Sequence, residues 1–189
     1  LKVASAEDSK SQGVVIVGAH IDHLGVGGGG SSLAKDDERE KIHVGADDNA
    51  SGVAAMMEIA QYLAAEKNNE RLAARRDLII AAWSGEELGL FGSQAFVKDF
   101  YTLYPDAPKP YADAEAAAAA QTRAAMLAAH GSAPEDEPLT AAVAAYLNLD
   151  MVGRLREKLV IQGLGSSPIW EAEVQRRNVP IGLALQLDK

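Results

Sequence analysis

The feature that most constrains this 189-residue chain is the alternation of short apolar runs with segments of helical spacing. The run GVVIVGAH (13–20) is β-branched and uninterrupted, the mark of a buried strand. Residues 51–67 then place Val53, Met56, Met57, Ala60 and Leu63 on one stripe of a helix, with Asn49 or Ser51 as its N-cap. DLIIAAW, inside 75–87, repeats the strand signal, and residues 88–100 repeat the helical one. AYLNLDM closes a third strand within 142–153. A strand at 157–165, a helix at 167–178 and a strand at 181–187 follow. Alternation of this kind predicts an α/β three-layer domain with a mostly parallel, mixed central sheet flanked by helices. Residues 24–44, glycine-rich and then charged, read as a surface loop, and residues 104–138 as a solvated loop carrying one Ala-rich helix.

A net charge of −9 argues against nucleic acid as a partner. With no cysteine, any bound metal must be held by His, Asp and Glu. No apolar run approaches the roughly 20 residues of a membrane span.

In parallel sheets, ligands bind beyond the carboxyl ends of the strands. The first strand ends in His20 with Asp22 two residues on, the second runs into Glu86 and Glu87, and the third reaches Asp150. Between the first two lies GADDNASG (45–52), where Asp47, Asp48 and Asn49 serve either as turn and cap residues or as a metal-holding corner. Each residue taken alone has an ordinary structural reading. Together they gather carboxylates with almost no base among them, and converging acids repel unless a cation intervenes or one is protonated.

Four segments in order, GAHIDHLG, GADDNASG, SGEELGLFGS and LNLDMVGR, resemble the M28 family of zinc aminopeptidases, which use two zinc ions. The resemblance spans about residues 13 to 155 and marks 101–140 as an insertion. It implies that His20 and Asp150 bind one zinc, Glu87 the other, and that Asp47 bridges them. By the same resemblance Glu86 is the general base and Asp22 the carboxylate that orients His20. Asp48, Asn49 and Ser51 then shape the turn, and a cis peptide is expected at Asp47–Asp48. On an extended segment Glu86 and Glu87 point oppositely, so one can bind metal while the other faces the water. The implied reaction is removal of N-terminal residues from peptides with a free N-terminus.

Two other readings share the motifs. One is an inactive receptor-like or interaction domain of the same fold, and the other a zinc carboxypeptidase or deacylase. The family also takes a second ligand histidine from a loop beyond the third strand, whereas no histidine follows His130. Residues 1–189 are therefore expected to be a single partial peptidase domain, cut before that ligand, with the second zinc site incomplete. His23, His43 and His130 receive no ligand role. The preferred N-terminal residue, oligomeric state and location stay open.

Overall fold

Four strands form the central sheet in the computed structural model, which describes residues 2–3, 13–27, 32, 34–74, 76–107 and 139–189. In chain order they are β1 (Lys2–Val3), β2 (Val14–His20), β3 (Asp77–Trp83) and β4 (Val143–Asn148). The spatial order is β1-β3-β2-β4, with β1 antiparallel to β3 and the other pairs parallel. The sheet is thus mixed and mostly parallel, as the alternation predicts. Helix α1 (Gly52–Asn68) connects β2 to β3, and α2 (Phe91–Leu103) follows β3.

Side chains alternate across the pleat, and the two faces of β2 collect separate cores. Val14 and Ile16 join Ile79, Ala81, Phe100 and Ala142 on the α2 side. Val17 and Ala19 pack with Met56 of α1 on the other, together with Leu78 and Ile80. Two helices covering opposite faces explain why β2 reads as an unbroken apolar run: neither face meets water. Phe100 is fully buried, with ring centroids 5.1 to 5.6 Å from Tyr104, Tyr101 and Phe96. Such pairs add about 0.5–1.5 kcal/mol each beyond the area they bury.

Gly18 sits on β2 between Ala81 of β3 and Asn148 of β4. A Cβ there would collide with the Trp83 indole and the Tyr146 ring, so only glycine lets these two side chains meet. Trp83 Nε1 donates to Tyr146 Oη at 2.8 Å, and Tyr146 Oη donates to Asn148 Oδ1 at 2.8 Å.

The register sets the height of each strand end. His20 pairs with Trp83, and a shift between Val14 and Val15 brings Gly18 opposite Asn148. His20 lies two residues beyond Gly18, and Asp150 two beyond Asn148. Both therefore emerge level at one edge of the sheet, beside the turn that leaves Trp83.

Three features of the fold depart most from the sequence reading. Helix α2 starts at Phe91, not 88, because Gly85, Gly89 and Leu90 all adopt positive φ and wind residues 84–90 into turns. Gly89 and Leu90 N–H donate to Glu86 O, and Gly92 N–H donates to Ser84 O. The third strand stops at Asn148 instead of reaching Met151. Third, β5 (Leu159–Ile161) and β6 (Leu185–Leu187) pair with each other in a separate parallel sheet, linked by α3 (Trp170–Asn178). The 101–140 segment falls mostly outside the described residues, as does His130. Among those described, no helix is long and apolar enough to cross a membrane.

Candidate metal centre

The turn between residues 45 and 52 decides which aspartate faces the strand ends. Asp48 (φ −108°, ψ 92°) and Asn49 (φ −133°, ψ 37°) leave helical geometry there, and the Asp48–Asn49 peptide is cis. The expected position, Asp47–Asp48, is one residue too early.

Asn49 is 2 % exposed and acts as a clasp. Its Oδ1 accepts from Gly52 N–H at 3.1 Å and from Met151 N–H at 3.2 Å, while Nδ2 donates to Leu149 O at 2.9 Å. One amide therefore caps α1 and fixes the chain leaving β4. Ser51 does not cap. Its Oγ donates to Asp47 O at 2.6 Å and accepts from Val152 N–H at 3.0 Å.

These ties bring His20, Asp48 and Asp150 together. His20 is 2 % exposed, and its Nε2 lies 3.1 Å from Asp48 Oδ1 and 3.5 Å from Asp150 Oδ1. Its Nδ1 donates to the Asp22 carbonyl oxygen at 3.0 Å. A carbonyl can only accept, so the neutral ring carries its hydrogen on Nδ1 and aims the Nε2 lone pair at the two carboxylates. Burial disfavours the charged ring, but the Asp22 carbonyl and the carboxylates of Asp150, Glu86 and Asp48 outweigh it and raise its pKa.

The other Asp48 oxygen faces a second group. Asp48 Oδ2 is 3.8 Å from His23 Nδ1, which is 2.8 Å from Glu87 Oε1. Glu86 faces this assembly as well. Burial pushes its carboxyl above the ordinary value, His20 pulls it back, and Glu87, Asp150 and Asp48 push it up further.

Two expectations need correction. Asp47 is not in either group. Its Oδ1 accepts from Gly153 N–H at 2.9 Å, and its Oδ2 takes the Arg154 Nε hydrogen at 2.5 Å. The Arg154 hydrogen bond, with Gly153 N–H assisting, holds the Asp47 carboxyl below its usual range. The guanidinium turns Asp47 toward the segment after β4 and leaves Asp48 to face the histidines. Asp22 also differs: its carboxylate accepts from Glu86 N–H at 3.2 Å, and its backbone oxygen, not its side chain, orients His20.

His20, Glu86, Glu87 and Asp150 thus converge from three strand ends. The sequence reading missed Asp48 and His23. The HIDH spacing was the available signal for His23, which stands three residues after His20. His43 lies beyond both groups, with ring centroids 5.9 Å from His23 and its Nε2 donating to Gly27 O at 2.7 Å.

The donor set fits a small divalent ion. Ligands at about 2.0–2.1 Å in a tetrahedron lie about 3.3 Å from one another, and the His20, Asp48 and Asp150 separations of 3.1 and 3.5 Å bracket that value. Oxygen and imidazole donors without thiolate suit zinc and its neighbours.

Asp47 holds the chain that carries Asp150, so Asp47→Ala is expected to weaken metal retention about 10- to 100-fold, as outer partners of ligands do. Asp47→Asn should lose less, because an amide oxygen still accepts from Gly153 N–H. Competition with a chelating dye reads both.

The sequence model of peptidase family M28 matches residues 3–186. No solved structure gives a significant match to the chain.

Proposed function

The chain belongs to peptidase family M28 and is thus a metallopeptidase acting on peptides; on that premise we propose that it is a zinc aminopeptidase releasing N-terminal residues. The reading rests on one observation above the rest. Asp48, Asp150, Glu86 and Glu87 crowd one site with His20 and His23, and the neighbouring cation, Arg154, is engaged by Asp47.

With Asp48, Asp150 and Glu87 committed to metal, Glu86 is the carboxylate left to attract the α-ammonium of a peptide. Carboxypeptidases need the opposite, a cation to receive the chain end. His20, Asp48 and Asp150 would hold the first zinc, and Glu87 with Asp48 would contribute to a second. A zinc ion bound there would supply an acidified water and polarise the scissile carbonyl.

Glu86, beside these ligands but in neither donor set, is the proposed group for moving the proton. A carboxylate beside the metal-bound water can take its proton and return it to the departing amine. Asp22 positions it through the Glu86 N–H.

The test compares one apolar tripeptide in three forms: free, N-acetylated and C-amidated. Free and amidated forms should be cleaved from the N-terminus, the acetylated form should resist, and chelation should stop the reaction until zinc is restored. Cleavage of the acetylated form, with loss on amidation, would make it a carboxypeptidase. Removal of the acetyl group would make it a deacylase. Zinc binding without hydrolysis of any form would leave an interaction domain.

A further inference from the structure

We infer that the Asn148 amide donates a hydrogen bond to the carbonyl oxygen of the peptide's second residue, the first of the departing chain. The inference rests on the aminopeptidase reading above. It adds a substrate class: peptides in preference to simple amides of one amino acid.

Three side chains on the α2 face of the sheet fix how that amide is turned. The Trp83 indole N–H can only donate, so Tyr146 Oη accepts it, at 2.8 Å. The phenol hydrogen is then left for Asn148, and a donated hydrogen calls for the amide oxygen. Tyr146 Oη indeed lies 2.8 Å from Asn148 Oδ1. Turning the amide over would give up this bond, so Nδ2 points its two hydrogens away from the relay. The residue is exposed, which leaves those hydrogens accessible.

The backbone beneath is held as firmly. Leu149 N–H donates to Gly18 O at 2.9 Å, and Asn49 Nδ2 donates to Leu149 O at 2.9 Å. A donor fixed before the substrate arrives loses little freedom on binding it.

The amide also stands where a bound peptide would lie. Asn148 is opposite Gly18, and His20 projects from the same face two residues on. With strands about 4.8 Å apart and a rise of about 3.3 Å per residue, the Cα atoms of Asn148 and His20 are on the order of 8 Å apart. Asp150, two residues after Asn148, reaches His20 Nε2 at 3.5 Å. Its charge extends to the relay: burial raises the Tyr146 pKa, the Trp83 hydrogen bond opposes this, and the Asp150 carboxylate adds to it. A peptide whose scissile bond lies at His20 carries its next carbonyl about 3.5 Å further along the chain. That carbonyl accepts and never donates, which is what an outward amide N–H requires.

Two substrates with the same N-terminal residue test this. Leucine p-nitroanilide has no carbonyl beyond the bond that is cut, whereas leucyl-glycine amide has one. With the full chain loaded with zinc, kcat/KM is measured on both, and the peptide-to-anilide ratio is compared with wild type. Asn148→Ala should lower that ratio about 3- to 10-fold, the worth of one neutral hydrogen bond. The loss should fall on the KM for the peptide, with zinc content near wild type. Tyr146→Phe frees the amide to turn and should lower the ratio about 2-fold. In the Asn148→Ala background it should lower the ratio no further. A wild-type ratio in Asn148→Ala would overturn the inference, because damage to the metal site slows both reactions in step. A Tyr146→Phe loss that adds in full to that of Asn148→Ala would overturn the relay. A wild-type protein that cleaves neither substrate would overturn the aminopeptidase reading, and the inference with it.

Discussion

Asp48→Asn is expected to strip the protein of metal and take hydrolysis below detection, although it changes one atom and one charge. The reason is the placement of its two oxygens, each turned toward a different imidazole. An amide offers one oxygen and two hydrogens, so at least one donor set faces an N–H in place of a lone pair. The lost negative charge weakens both positions together. Zinc affinity at the first centre should fall more than about 100-fold, and excess zinc should restore little activity. Asp47→Asn is the matched control, because the same substitution one residue earlier touches Gly153 and Arg154 instead. If Asp47→Asn lost the metal and Asp48→Asn kept it, the assignment of the bridging carboxylate would revert to Asp47.

Glu86→Gln separates proton transfer from metal binding. Glutamine keeps the size and the polar contact of the side chain but accepts no proton at neutral pH. Turnover should fall about 10²- to 10⁴-fold, with zinc content and KM close to wild type. The neighbouring Glu87→Gln should instead lower metal content, since Glu87 belongs to a donor set and Glu86 does not. A Glu86→Gln enzyme that turns over normally would remove the base role. One that loses zinc would make Glu86 a ligand. Relief of charge crowding offers a second reading of the same variant: four carboxylates meet here, and removing one eases their repulsion.

The layers of the fold were legible in the sequence because buried strands and amphipathic helices leave long signals. DLIIAAW corresponds residue for residue to β3, and Val53 and Met56 of the expected stripe face inward on α1, whereas Met57, placed on the same stripe, is exposed. The start of α2 was not legible, because positive φ at Leu90 depends on the bonds closing the turn around Glu86. Nor could local pattern tell which strands pair, so β5 and β6 read as ordinary members of the sheet and instead form their own.

The choice between Asp47 and Asp48 lay deeper. The two have identical chemistry and adjacent positions, and what distinguishes them is a guanidinium 107 residues further on. His23 was passed over for a related reason: its partner Glu87 is 64 residues away. Only the folded chain brings such partners within reach.

The Asn49 clasp has a further bearing on how the chain can vary. Its bonds to Leu149 and Met151 span 100 and 102 residues. Closing a flexible loop becomes dearer only logarithmically with length, about 0.6 kcal/mol for each doubling. Length can thus change cheaply only in the connections within that stretch, since α1, β3, the turn carrying Glu86 and Glu87, and α2 all lie between the two ends of the clasp. The amide itself cannot be replaced, since its loss strands a carbonyl and two N–H groups at the heart of the metal site.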